Sequence, residues 1–488
     1  MTARTRRDTL WLTSIFLMAA FLRLYDLGRQ SFWLDEAYTW YLTWPSWQDI
    51  WRVMLLISDT SPLHYVVTRL LVPFIGRSEL ALRFVALAAE LLAVPVMYRL
   101  GRAMFNRAAG LWAAALFAFS PFAVWYARDA RPYGAYVLFA ALALWGFWRW
   151  AEHNKSAWLF VLASAALYLT HYASALFAFA QAGYVIAGLR RRPLLFRRWF
   201  FWQALAALPT GFYLLAFILR RQSITGNGWI PRPSLLAPLG TLLNFLCADV
   251  ERVTILNVLM AVAGLVTLVM GLAPLGASDS RRGAAQRILL WWMLLPMLAI
   301  WSFSMRLPAY VDRFFFPEII ALLLLMAAGL SRLSEGPVIK KGARVALLVC
   351  APMVLGGMLL SSIALHTNPR YAKEDWSGAA RFIAARFPDA PLLVQDSEVA
   401  LGLSPYLQRP VIKQATPEAL DAIDPPTVVV LRSPHESGSS LSKTAPFDPL
   451  TDLPLASWFA AHSNRIQSVH RFVSIGVVVI VRASETKP

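Results

Sequence analysis

Apolar residues in this chain gather into long runs, and polar residues collect in the gaps between them. Runs of about 20 residues match the ~30 Å hydrocarbon core of a bilayer. They fall near 9–26, 80–98, 108–127, 132–150, 157–171, 173–189, 199–219, 254–275, 288–304, 314–331 and 344–364. The pattern predicts a polytopic, mainly α membrane protein with about eleven transmembrane helices. Ser234–Ala248 is apolar but carries Pro238 and is shorter than a span, so it reads as an interfacial or re-entrant helix. The first run follows Arg4, Arg6 and Arg7 with no small-residue cleavage site after it, and reads as a retained anchor. From about 366 the pattern changes. Glu374–Phe387 has helical periodicity, while Pro391–Gln395, Thr427–Leu431 and Phe472–Arg482 read as short strands and Ser433–Ser442 as a loop. The expected division is a membrane module over 1–365 and a small α/β domain outside the membrane over 366–488.

Composition sharpens this reading. Apolar residues make up 58% and charged residues 15%, against a globular norm of about 45–50% and about 25%. A soluble enzyme and a disordered chain are excluded. Cys247 and Cys350 both lie in apolar stretches, which excludes a disulfide framework and a cysteine-based zinc site. The net charge of +18 sits ahead of His366, because the rest of the chain carries 12 basic and 12 acidic residues. The basic clusters separate apolar spans, which is the positive-inside pattern and not a nucleic-acid groove. With the N-terminus inside, Arg99, Arg102 and Arg107, then Arg149 and Lys155, then Arg190–Arg198, Arg281–Arg287 and Arg332–Arg344 face the cytoplasm. Arg220 and Arg221 are the main exception, and an odd number of spans puts the C-terminal part outside.

Candidate chemistry lies in the outer segments. The first outer loop, about 27–79, is rich in Trp, as expected of helices at the lipid–water interface. It opens with Trp33-Leu34-Asp35-Glu36-Ala37-Tyr38. The acidic pair is either solvated or, where partly buried, a proton acceptor. A very short outer turn holds Tyr126-Ala127-Arg128-Asp129-Ala130-Arg131-Pro132-Tyr133. Its arginines either snorkel around Asp129 or clamp a phosphate with their fork-shaped donors. Thr170-His171-Tyr172 and Arg306–Arg313, which includes Tyr310, face the same side, though a lone His is more often a satisfied hydrogen-bonder than a catalyst. Arg83 and Glu90 share a helix face and read as a structural ion pair or a contact to another helix. There is no GxGxxG, P-loop, HExxH or Gly-x-Ser-x-Gly, hence no means of using a nucleotide directly.

Taken in order, these clusters resemble the GT-C superfamily of membrane glycosyltransferases. The likeness is to the family of protein O-mannosyltransferases and lipid A aminoarabinose transferases, over roughly 10–330 and weakly at Tyr371–Trp376. Arg23-Leu24-Tyr25, the Trp-x-Asp-Glu run at 33–36, the Asp129–Tyr133 turn and the Arg-aromatic-x-x-Pro element at Arg313–Pro317 carry it. A His-Pro-Pro-Leu-Tyr segment of the family aligns with Thr60-Ser61-Pro62-Leu63-His64, so the acceptor pocket and any metal there are not carried over residue for residue. The resemblance implies a sugar donor linked through phosphate to a polyprenol, and catalysis on the outer face of the plasma (inner) membrane. It also implies Asp35 as general base with Glu36 beside it. Arg128, Asp129, Arg131, Tyr133 and Arg313 would serve the donor phosphate, and Asp59, His64, His171 and Tyr310 the acceptor or pocket. No cofactor is assigned, and no residue indicates a metal. The expected activity is an inverting hexosyl- or pentosyltransferase acting on a glycan, lipid or protein acceptor. A transporter or flippase of a lipid-linked sugar, and a polysaccharide polymerase or ligase, are the competing readings.

Overall fold

The computed structural model describes residues 3–43, 46–52, 61–190, 192–219, 230–247, 254–274, 280–334, 340–407, 413–422, 426–433, 448–451 and 455–481. The chain divides into two compact units. One comprises Met1–Tyr25, Trp47–Leu70 and Arg83–Thr367, the other Asp26–Ser46, Leu71–Leu82 and Asn368–Pro488. The second unit thus joins parts of the first outer loop to the C-terminal segment, where the sequence alone draws one boundary near 365.

In the first unit, helices occupy the apolar runs. They are Ala3–Leu24, Glu79–Met104, Arg107–Phe119 with Pro121–Ala127, Tyr133–His153, Ala157–Thr170, Ala175–Ala187, Pro193–Leu219, Ile255–Leu272, Ser280–Ser304, Glu318–Leu330 and Lys341–Thr367. Among the described residues four helices are long and apolar enough to cross a membrane, and the bent pair makes a fifth. The protein is a polytopic membrane protein. Among its described residues, Ser234–Ala248 carries only the eight-residue helix Ala237–Asn244, about 12 Å long and far short of a bilayer core. Glu318–Leu330 is buried along its whole length, as a helix apolar on every side must be. Gly271 and Gly329 let it approach Ile255–Leu272 closely: a Cβ at either would run into a carbonyl of the facing helix.

The bend in the pair aims the chain toward the short Arg128–Tyr133 turn. Arg107–Phe119 and Pro121–Ala127 meet at Ser120 at 59°. Pro121 has no N–H to give to the preceding turn, so carbonyls at the end of the first helix lose their helical partner. Inside a bilayer such groups must find other donors. Arg23 supplies them, at 2.8 Å to the Ala118 carbonyl and 3.2 Å to that of Phe117. Ser362 Oγ donates to the Phe119 carbonyl at 2.9 Å. Arg23 is held in turn by a fully buried ion pair with Glu90, Nε to Oε1 at 2.9 Å. Glu90 therefore contacts another helix.

The second unit contains a five-stranded sheet of β1 (Leu392–Val394), β2 (Lys413–Gln414), β3 (Thr427–Arg432), β4 (Ile466–Phe472) and β5 (Ile475–Ile480). The strand order is β2-β1-β3-β5-β4. β1 runs parallel to β2 and β3, and β5 antiparallel to β3 and β4, with Val429 opposite Val478. The centre of β3 is an unbroken apolar run because both faces are covered. Val428 and Val430 join a core with Trp376, Ala380 and Ile383, while Val429 and Leu431 join another with Leu420, Trp458 and Phe459. The strand expected over Phe472–Arg482 is β5 at its centre, Ile475–Ile480, while Phe472 ends β4 and the chain turns between the two at Val473-Ser474, where Ser474 takes φ 57°. The loop expected at Ser433–Ser442 lies, beyond Ser433, outside the described residues.

Candidate functional site

The bent pair delivers the Arg128–Tyr133 turn. Pro121–Ala127 ends at Arg128, whose N–H goes to the Trp125 carbonyl at 3.1 Å, and the Arg131 N–H closes the turn on the Asp129 carbonyl at 2.7 Å. Pro132 then precedes the helix Tyr133–His153. Gly134 lets that helix lie against the backbone of the helix Glu79–Met104, since a Cβ there would collide with the Ala86 carbonyl. The charged residues are confined between two helix ends. Arg128 and Asp129 are buried and Arg131 is half-buried, donating to the Tyr65 hydroxyl at 2.8 Å.

Around this turn the first unit gathers most of the remaining candidates. His64 is buried, and burial, helped by the Arg131 charge, pushes its imidazole down to about 3, with a contact to the Ala130 backbone opposing. It is therefore neutral. His171 stacks on Tyr136 and Tyr172 with ring centroids 4.6 Å from each, and its Nδ1 accepts the Ala173 N–H at 3.2 Å. That cap is the satisfied role a lone His usually has. Tyr133 lies edge-on to Tyr126 at 4.8 Å, and Tyr136 donates to the Phe314 carbonyl at 3.1 Å. The latter bond ties the helix Tyr133–His153 to the short turn Asp312–Phe315 that carries half-buried Arg313.

Tyr310 and Asp312 are fixed by residues that sequence reasoning does not single out. Thr241, on the helix Ala237–Asn244, bonds the Tyr310 hydroxyl at 2.8 Å and donates to Asp312 Oδ1 at 2.7 Å. Asn244 Nδ2 donates to the other Asp312 oxygen. The only signal in the sequence is a short apolar helix carrying polar residues one turn apart. Burial pushes the Tyr310 phenol above its ordinary range, so it stays a proton donor. Three arginines, each able to offer planar donors, thus occupy one unit together with tyrosines and two histidines, a set suited to an oxyanion such as phosphate.

Asp35 and Glu36 belong to the second unit, in the first turn of the helix Leu34–Leu42. Glu36 is fully buried and paired with Lys373 at 3.0 Å, and its Oε2 also accepts the Trp33 N–H at 3.3 Å. Asp35 is half-buried. The two adjacent carboxylates are therefore not equivalent: one is built into the structure, while the other keeps part of its surface. Asp59 lies outside the described residues. Among the described residues no group of three or more His, Cys, Asp or Glu side chains comes together as a metal site.

Comparison with known proteins gives two independent likenesses. Residues 59–214 match the family model for dolichyl-phosphate-mannose-protein mannosyltransferase, a stretch that includes His64, Tyr65 and the whole Arg128–Tyr133 turn. The fold matches ArnT from Cupriavidus metallidurans bound to undecaprenyl phosphate, with TM-score 0.60 and 16% identity over 98% of this chain and 99% of that one. The apo state of the same protein gives TM-score 0.61 at 15% identity, with both chains fully covered. Archaeal oligosaccharyltransferase AglB from Archaeoglobus fulgidus, in complex with an inhibitory peptide and a dolichol-phosphate, gives TM-score 0.53 at 14% identity. That match covers 88% of this chain and 70% of the other. No curated protein sequence matches the chain.

Proposed function

We propose that this chain, which resembles the GT-C membrane glycosyltransferases in both sequence model and fold, transfers a sugar from a polyprenyl-phosphate carrier to an acceptor hydroxyl. The observation that carries the reading is the Arg128–Tyr133 turn. It places buried Arg128 and half-buried Arg131 between two helix ends, and it lies inside the stretch matched by the mannosyltransferase model. ArnT, whose fold this chain shares, was solved with undecaprenyl phosphate. A lipid-linked phosphate at this chain's arginines accords with both.

The chemistry needs few groups. A polyprenyl phosphate is already a good leaving group, so no strong general acid is required. Positive charge on the departing phosphate and a base for the acceptor proton suffice. Arg128 and Arg131, with Arg313 on the neighbouring turn, take the first role. Asp129 orients an arginine or touches a sugar hydroxyl. Asp35 takes the second role, with Glu36 fixing its helix. One displacement with one base inverts the anomeric carbon through an oxocarbenium-like state. His64, its imidazole pushed down to about 3, is a poor proton acceptor, and Tyr310 stays protonated, so in the pocket they orient groups and do not act as bases. Glu90, the carboxylate that would best serve a transporter, is held in a buried ion pair with Arg23.

The proposed topology has eleven spans, a cytoplasmic N-terminus and the C-terminal part on the outer face of the plasma (inner) membrane, in keeping with the loop charges. Single-turnover measurements on the full chain in lipid nanodiscs test the roles. Asp35→Asn should slow transfer roughly 10²–10⁴-fold while undecaprenyl phosphate still binds. Arg128→Ala and Arg131→Ala should weaken that binding and slow transfer. Wild-type behaviour of all three would remove the assignment.

A further inference from the structure

Within the helix that carries Asp35, only Glu36 caps the start, reaching back to the Trp33 N–H. Ser, Thr, Asp or Asn would ordinarily take up the first N–H groups of a helix, but Trp33 stands at that position and its side chain makes no cap. Two further donors at this end are satisfied from elsewhere in the same unit. The Leu34 N–H goes to Glu374 Oε2 at 3.1 Å, and the Phe32 N–H goes to the Tyr406 hydroxyl at 2.6 Å. A carboxylate some 340 residues away in sequence thus occupies the positive end of the helix, where a negative charge is favourable.

Glu374 is itself locked. Its Oε2 accepts from Trp376 Nε1 at 2.8 Å, its Oε1 from Arg432 Nε at 2.6 Å, and its carbonyl from Ser31 Oγ at 2.5 Å. Arg432 ends β3 and also reaches Glu398 at 3.1 Å. Lys373, one residue earlier, donates from Nζ to Glu36 at 3.0 Å, and its N–H goes to Gln30 Oε1 at 3.1 Å. The buried charges therefore alternate: Lys373 with Glu36, Arg432 with Glu374.

We infer that Lys373 and Glu374 are positioning residues for Asp35, so that the segment Tyr371–Trp376 and the end of β3 set the geometry of proton abstraction from the acceptor. The inference rests on the reading of Asp35 as the base. Lys373 neutralises Glu36 and so fixes the residue next to Asp35 in the first helical turn, while Glu374 replaces the missing cap. In this role both act through the helix Leu34–Leu42 and not on the substrate itself. A displacement of about 1 Å in a reacting group costs roughly 100-fold in rate, so loss of either should appear in kcat and leave carrier binding unchanged.

The test uses the full chain in nanodiscs. The donor is a bacterial membrane lipid extract carrying undecaprenyl-phosphate-linked sugars, and undecaprenyl phosphate alone is the binding probe. Lys373→Met and Glu374→Gln should lower kcat roughly 10- to 100-fold with KM for the donor and probe affinity unchanged. Amide exchange should quicken over residues 30–36 and not across the sheet. Lys373→Arg keeps a charged donor and should recover most of the rate. Because Lys373→Met strands a buried carboxylate, the double variant Glu36→Gln with Lys373→Met serves as the folding control: it should fold and stay slow. A wild-type kcat in that double variant or in Glu374→Gln would overturn the inference, as would an equal fall in kcat and probe affinity with exchange quickened throughout the unit. Asp35→Asn separates the two levels. If it turns over normally, the base assignment fails. If it is inactive while Lys373→Met is normal, only the positioning role fails.

Discussion

Replacing Arg23 by Met removes the group that holds the bend beneath the arginine turn. Both members of the Arg23–Glu90 pair are fully buried, so the variant leaves the Glu90 carboxylate without its counter-charge. Removing one partner of a buried ion pair costs about 3–5 kcal/mol. The Ala118 and Phe117 carbonyls also lose their donor, at about 1 kcal/mol each. The single variant should therefore lose about 5–7 kcal/mol. Arg23→Met with Glu90→Met removes both charges and should lose only the carbonyl part, about 2 kcal/mol. The double variant is thus expected to be the more stable of the two by about 3–5 kcal/mol. Unfolding of the full chain in graded denaturing detergent, followed by tryptophan fluorescence, measures the difference. Undecaprenyl phosphate affinity should fall in the single variant, because the bend carries Arg128 and Arg131. A double variant no more stable than the single one would refute the claim that the pair, and not its hydrogen bonds to the carbonyls, dominates.

The same geometry fixes other expectations. Arg131→Lys keeps the charge but loses the planar fork and the bond to Tyr65, so donor binding should weaken by about 1.5–3 kcal/mol; an unchanged affinity by calorimetry would move the clamp to Arg313 or Arg306. In a cysteine-free background, a cysteine at Ser439 should react with an impermeant reagent in intact cells and one at Ser334 should not; the reverse pattern would invert the topology. His64 gives a pH signature with a definite sign. The unfolded imidazole takes up a proton below about 6.5, whereas the folded one, pushed down to about 3, refuses it. Its contribution is whole above pH 6.5 and declines by about 1.4 kcal/mol per unit as pH falls toward 3. His64→Gln should flatten that part of the stability–pH curve, and an identical curve would place the acid sensitivity elsewhere.

Local physics accounts for what is legible in the sequence. Apolar runs of span length form helices at the expected places, and Pro132 after two arginines marks the turn that the fold buries. The Glu374–Phe387 helix starts at Trp376 instead, because Asp375 is the residue that caps it, accepting the Gly378 N–H at 2.8 Å. That shift releases Glu374 to meet Leu34. Such long-range pairings leave no trace in periodicity, so the link between the outer loop and the C-terminal segment is invisible in the sequence. The bend at Ser120 is hidden inside a single apolar run, its cause being one proline and a buried arginine 95 residues before Ala118. β4 escapes the strand pattern because its half-buried positions mix Ser and His with Ile, Val and Phe, and do not alternate strictly with the exposed Gln467 and Arg471. Thr241 and Asn244 lie in a segment whose plainest feature in the sequence is its shortness.

Glycosyl transfer from a lipid carrier is tested most directly by the fate of that carrier. Purified protein in nanodiscs is given undecaprenyl-phosphate-linked sugars in a bacterial membrane extract that also supplies lipid, glycan and protein hydroxyls as acceptors, and mass spectrometry tracks the free carrier while NMR reads the anomeric configuration of any product. Free undecaprenyl phosphate should accumulate with the wild type and not with Asp35→Asn, and the product should carry the anomeric configuration opposite to the donor's. Lipid-linked sugars that stay intact in the presence of wild-type protein, yet change leaflet in a flux assay, would contradict a transferase and leave a transporter in its place.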